Sequence, residues 1–233
     1  MALDHTEASV ASWWHTVIVL AGLAGLSLAT GYQHGLPNAH IPGLPVRPSS
    51  YLTILAAEWL LVWLIWLPLR SRGLSLASLV SGRWDRPRSF FRDLGIAVGF
   101  VIVIVALEQL LGFLFHASPD SALAAMLPKT PFELVLYLLV ALTAGFCEEL
   151  IFRGYLGRQF SAWTGSRAFG IILQGLAFGA GHAYYGPKFM FIIAVHGCLL
   201  GMLAYWRKSL RPGILAHALQ DSLGGLVWFF VPK

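Results

Sequence analysis

Three short groups of residues carry the side chains that could do chemistry. The first is Glu148-Glu149-Leu150-Ile151-Phe152-Arg153, the second Phe178-Gly179-Ala180-Gly181-His182, and the third His217-Ala218-Leu219-Gln220-Asp221. Each lies in an otherwise apolar stretch. An ionisable group at the centre of a bilayer costs about 2.5–3.5 kcal/mol on insertion scales, so each one needs a reason. On a helix, Glu149 and Arg153 stand four residues apart and share a face where they can pair. Glu148 is turned about 100° away and is free to face a cavity. His217 and Asp221 have the same i,i+4 relation and can present two polar groups to one target. Phe178 lies one turn before His182 and can buttress its ring, and the small residues between them let a neighbouring helix approach closely. Carboxylates and imidazoles in this combination suit general acid–base chemistry. A structural reading stands beside that one. The first group can be an ion cluster, and the third a His–Asp hydrogen bond tying helices together.

Three further groups, Glu58, Glu108 and His196, are isolated on apolar segments and read as hydrogen-bonded interior side chains. With them, five of the 11 acidic residues fall within or at the ends of apolar stretches.

These residues need elements to position them, and composition says what kind. Of the 233 residues, 57% are hydrophobic and only 12% charged. Soluble domains carry about 25% charge, which excludes a soluble globular fold. The expected fold class is all-α: a polytopic membrane helical bundle of seven helices around a polar cavity, or eight if the long fourth segment is broken. The apolar segments run roughly over 14–32, 51–69, 94–115, 132–160, 168–185, 187–206 and 212–230. That leaves no room for a separate soluble domain, so residues 1–233 read as one membrane domain. Residues 1–16 contain no Lys or Arg, so the first apolar segment is expected to be retained rather than removed as a signal peptide. The Pro- and Gly-rich connection from Tyr32 to Ser50 reads as an irregular loop. Cys147 and Cys198 lie in apolar stretches and are expected to be free thiols.

The net charge of +5 forms no basic stripe, so no nucleic-acid partner is expected. Twelve of the 16 Lys and Arg fall on one side when the connections are counted alternately, with Arg153 and Arg158 counted into the fourth. By the positive-inside rule the N-terminus and the Arg-rich connections are cytoplasmic. The second connection interleaves Arg70, Arg72, Arg83, Arg86, Arg88 and Arg92 with Leu, Trp and Phe, which suits a segment lying on an anionic leaflet. Counting residues from the turn at 161–167 puts Glu148 and His182 at similar depth, while His217 comes out shallower.

In this order, the three groups resemble the CAAX-processing and bacteriocin-processing (CPBP) family of intramembrane proteases. Its signature is E-E-x-x-x-R, then F-x-x-x-H, then H-x-x-x-N or H-x-x-x-D. The resemblance covers about residues 131–230, the expected catalytic core. It implies peptide-bond hydrolysis of a membrane-associated or prenylated (CAAX-type) protein or peptide within the bilayer. It further implies that Glu148 activates water with help from His182, that Glu149 and Arg153 orient and tune it, and that His217 and Asp221 stabilise the oxyanion or hold the water. Asp221 departs from the Asn typical of the prenyl-protein branch, because an ionised carboxylate cannot donate to an oxyanion. Three roles stay open for it: a protonated donor, a group orienting His217, or a metal ligand. Glu, two His and Asp would be a plausible Zn²⁺ set, and a metal-free glutamate mechanism is equally compatible. Two other classes remain. One is a non-catalytic partner-binding or bacteriocin-immunity protein. The other is a proton-coupled transporter, since intramembrane Glu and His also mark proton relays.

Overall fold

A computed structural model of the chain describes residues 9–35, 45–116, 124 and 126–231. The helices are α1 (Trp13–Gly35), α2 (Val46–Ser71), the short α3 (Leu76–Val80), α4 (Pro87–Leu114) and α5 (Pro131–Glu148). A π-helical segment, Glu149–Leu156, continues α5 directly into α6 (Gly157–Thr164). There follow α7 (Arg167–Gly181), a 3₁₀ turn (Ala183–Tyr185), α8 (Gly186–Arg207) and α9 (Arg211–Phe230). No strand occurs among the described residues.

Local chemistry sets several of these boundaries. Thr130 caps α5 by accepting from the Glu133 amide at 3.2 Å, and the Glu133 carboxylate reaches back to the Lys129 amide at 2.7 Å. This is close to a capping box, with Pro131 in the first turn where its missing N–H costs nothing. Gly165, at φ 64°, ends α6 in the left-handed conformation that glycine adopts without a Cβ clash. Ser166 then caps α7 through the Phe169 amide. The expected loop from Tyr32 to Ser50 is helical at both ends, since α1 reaches Gly35 and α2 begins at Val46. Residues 36–44 lie outside the described residues.

Five stretches are long and apolar enough to cross a membrane: Trp13–Gly31, Val46–Ser71, Pro87–Leu114, Pro131–Thr164 and Ala183–Arg207. Length and composition thus qualify five of the seven expected spans. The other two expected segments are present as α7 and α9. However, the 15 residues of α7 rise only about 22 Å against a hydrocarbon core of about 30 Å. Large apolar side chains such as Ile102, Phe113 and Phe132 are more than 60% exposed, an outer surface that belongs in lipid rather than water. Inside, Val19, Ile65, Leu69, Leu150, Ile151, Phe152, Tyr155 and Phe178 form one core around the π segment.

Close helix approach sets the register. A Cβ built on Gly145 would fall 2.7 Å from the Ala218 backbone nitrogen, so α9 packs directly on α5. Gly154 faces Leu210, Gly213 faces Glu149 and Gly225 faces Tyr137, so the two run antiparallel. Leu210 is level with Gly154, so residues 157–164 lie beyond the start of α9. This removes the depth mismatch that residue counting predicted for His217, because α9 begins deeper along α5 than the 161–167 turn. Between α7 and α8, Gly179 approaches the Met190 carbonyl and Ala194, as small residues in a membrane interface allow. Gly181 does not take part, since its nearest neighbour is the Phe152 ring edge at 3.8 Å.

The Arg-rich second connection is fastened to the turn between α8 and α9. Leu210 donates its amide to the Val80 carbonyl at 2.9 Å, and Ser209 donates its hydroxyl to the Ser81 carbonyl at 3.0 Å. Asp93 accepts from Trp84 Nε1 and from Arg207 Nη2, each at 3.0 Å. Arg153, counted in the sequence with the connection charges, is instead buried at 5% exposure and belongs to the interior.

Candidate active site

The E-E-x-x-x-R group straddles the start of the π segment, all eight residues of which are buried. Single π turns inside α-helices occur frequently at functional sites, but nothing in the sequence distinguishes this one from regular α-helix. Arg153 Nη1 lies 2.9 Å from Glu149 Oε1, and the two side chains are 1% and 0% exposed. Desolvation offsets much of the Coulomb attraction in a pair this deep, and its valences are only partly met, since Glu149 Oε2 and Arg153 Nε have no hydrogen-bond partner. Arg153 Nη2 donates to the Gly197 carbonyl at 3.3 Å, and the guanidinium lies 4.3 Å from the centre of the Phe178 ring.

Glu149 also reaches across to α9, where its Oε1 is 3.2 Å from His217 Nδ1. With the carboxylate ionised beside Arg153, Nδ1–H is the donor. The other ring nitrogen, Nε2, then points to Glu148 Oε2 and Asp221 Oδ2, each 3.6 Å away. One residue that motif reading missed makes this contact possible. A Cβ on Gly213, one turn before His217, would sit 2.9 Å from Glu149 Oε2. A glycine there lets α9 close on the carboxylate, and its position one turn before His217 was the available signal.

His182 ends α7, and its Nδ1 is 2.8 Å from the Phe178 carbonyl. A carbonyl can only accept, so Nδ1 carries a proton, and Nε2 of the neutral ring keeps its lone pair. Phe178 does buttress this ring, with centroids 4.8 Å apart. It also touches His217 at 5.8 Å and Phe152 at 4.9 Å, so one aromatic side chain joins all three motifs.

Glu148, His182, His217 and Asp221 line one cavity of about 470 Å³. Glu149 and Arg153 stand behind it. The same cavity is lined by Glu58, Glu108 and His196, which spacing alone had assigned to interior hydrogen bonding. They do make such bonds. Thr143 Oγ1 donates to Glu58 at 3.0 Å, Gln220 Nε2 donates to Glu108 at 2.8 Å, and His196 Nδ1 pairs with Glu108 at 3.0 Å. Their place on the cavity wall was not legible from single residues on separate helices. Tyr185, also unanticipated, stacks near His182 with ring centroids 6.2 Å apart.

Among the described residues, no group of three His, Cys, Asp or Glu side chains is arranged to hold a metal ion. Nδ1 of His182 and Nδ1 of His217 are both engaged by protein acceptors. His217 Nε2 lies 3.6 Å from Glu148 Oε2 and 3.6 Å from Asp221 Oδ2.

The apolar exterior and five membrane-length helices, four of which line a polar cavity, define an integral membrane protein. Residues 130–223, the segment that contains all three motifs, match the family described as Type II CAAX prenyl endopeptidase Rce1-like. An uncharacterised protein, YpbD of Bacillus subtilis (strain 168), is 26% identical over 134 residues, covering 55% of this chain and 64% of the relative. The chain therefore spans slightly less than two thirds of that relative's length. No solved structure matches.

Proposed function

We propose that the chain is an intramembrane endopeptidase in which Glu148 activates water for attack on a peptide bond, with residues 131–230 as the catalytic core. The observation that carries this reading is the division between the paired glutamates. Glu149 is fully buried and held by Arg153 and His217, while Glu148 faces the cavity beside His182, His217 and Asp221. A purely structural ion cluster has no use for the second, cavity-facing carboxylate.

In this mechanism Glu148 accepts a proton from the water as its oxygen bonds to the substrate carbonyl carbon. His182, with its Nε2 lone pair open, helps hold the water. When protonated at both nitrogens, His217 donates from Nε2 to the oxyanion while Nδ1–H stays on Glu149, a preorganised electrostatic arrangement. The C–N bond then breaks, and the proton taken up by Glu148 passes to the departing amine. Asp221 orients His217, the role that its 3.6 Å approach supports. The substrate is a membrane-associated or prenylated CAAX-type protein or peptide, reached from a cytoplasmic face that carries the N-terminus and the Arg-rich connections.

The test compares membrane-protein termini by mass spectrometry in cells carrying wild type or Glu148→Gln at matched protein levels, followed by cleavage with purified components. A new terminus made only by the wild type is expected. Identical termini in both would overturn the catalytic reading.

A further inference from the structure

A second cavity, of about 210 Å³, lies between α6, α7, α8 and the turns at 79–81 and 208–210. It shares no lining residue with the cavity that holds Glu148. Four cationic side chains line it: Arg153, which is paired with Glu149, Arg158, which donates to the Leu79 carbonyl, Arg167, which donates to the Tyr205 hydroxyl, and Lys208. No Asp or Glu is among its described lining residues. A cleft walled by one sign of charge and by low-dielectric protein focuses the field and concentrates counter-ions. Two of its side chains also have unmet valences. Arg153 Nε and Gln174 Oε1 are buried without a hydrogen-bond partner, on residues 5% and 1% exposed. An orphaned buried polar group is costly, and more so when charged.

We propose that this cavity binds a phosphate group, either the phosphodiester of an anionic phospholipid headgroup or free phosphate. Phosphate oxygens supply acceptors for guanidinium and ammonium groups, and the planar Arg fork matches them in pairs. Bound water or a P–OH group would meet the Gln174 acceptor. A peptide is a poorer fit, because the buried Arg153–Glu149 pair stands between this cavity and the one containing Glu148. The surroundings suit a lipid source. Basic pockets between membrane helices bind headgroups, and the cavity opens beside the Arg-rich second connection. Occupancy would reach the other cavity through two contacts, Arg153 to Glu149 at 2.9 Å and Glu149 to His217 at 3.2 Å. The inference does not depend on the protein being a protease.

The test uses the full chain in detergent. Native mass spectrometry counts retained phosphatidylglycerol against phosphatidylcholine, and a parallel titration with sodium phosphate follows the midpoint of thermal unfolding. The pocket variants are Arg167→Gln/Lys208→Gln and, separately, Arg158→Gln, which also donates to the Leu79 carbonyl and so has its own folding risk. The charge-matched control is Lys129→Gln/Lys188→Gln, two exposed residues outside both cavities and outside the Arg-rich second connection. The ligand-free midpoint reports whether each variant is folded. Preferential phosphatidylglycerol retention by wild type and control, reduced about tenfold or more in the double pocket variant, supports a headgroup site. Stabilisation by sodium phosphate alone, lost in the same variant, supports the same site with a soluble ligand. Equal lipid retention and equal phosphate response in wild type, pocket variants and control would overturn the proposal.

Discussion

Two polar cavities lie on either side of one buried ion pair, and they differ in sign. The larger is walled by Glu58, Glu108, Glu148 and Asp221 with three histidines, the smaller by three arginines and a lysine. Arg153 lines the smaller, His217 lines the larger, and Glu149 joins them. The contrast shows how one helix keeps like charges apart. Glu148 and Glu149 are adjacent in sequence, yet only Glu149 has a cation within ion-pairing distance from its own helix. Its neighbour is therefore left to the cavity, where a carboxylate with only histidine as a cationic partner can accept a proton.

If that division is real, breaking each side should have a different signature. The largest effect is expected from Glu148→Gln, which should lower cleavage by about 10²–10⁴-fold or more while the protein still accumulates in the membrane. Arg153→Met should act on stability instead. Leaving the buried Glu149 without its cation should cost about 3–5 kcal/mol, read as a lower unfolding midpoint or as loss of folded protein. A stable, fully active Arg153→Met would mean that the pair does not hold the site.

Gly213→Ala tests the contact between α5 and α9. Its Cβ would press on Glu149 Oε2, so a destabilisation of about 1–3 kcal/mol is expected, together with reduced activity as His217 is displaced. Unchanged stability and kinetics would show that α9 shifts freely and that the Glu149–His217 contact is not required. The smallest effect sharpens the assignment of Asp221. If it orients His217, Asp221→Asn should retain activity within about tenfold, because an amide oxygen still accepts from the ring, whereas Asp221→Ala should lose considerably more. Equal losses in both variants would point to the negative charge itself.

Local spacing carried much of this protein. The i,i+4 placement of Glu149 and Arg153 was enough to predict their pairing, because on any helical turn of that length the two side chains share a face. The apolar runs were enough to predict the helices, because continuous apolar stretches of this length satisfy their backbone in lipid as helices, whereas barrel strands are shorter and alternate. They were not enough to count crossings. α7 is shorter than a bilayer is thick, and α9 carries His217, Gln220 and Asp221 in its middle, so neither qualifies by length and composition.

What only the tertiary structure decided is distance between segments far apart in the chain. His217 meets Glu149 across 68 residues, and Glu108 meets Gln220 across 112. These contacts depend on helix register, which the Gly145–Ala218 and Gly213–Glu149 approaches set through the absence of a side chain. A missing Cβ leaves no periodic signal, so only the place of Gly213 one turn before His217 hinted at either approach. The same holds for the π turn at Glu149–Leu156 and for the gathering of four cations around the second cavity, since each is the sum of backbone geometry and packing rather than of any residue's own preference.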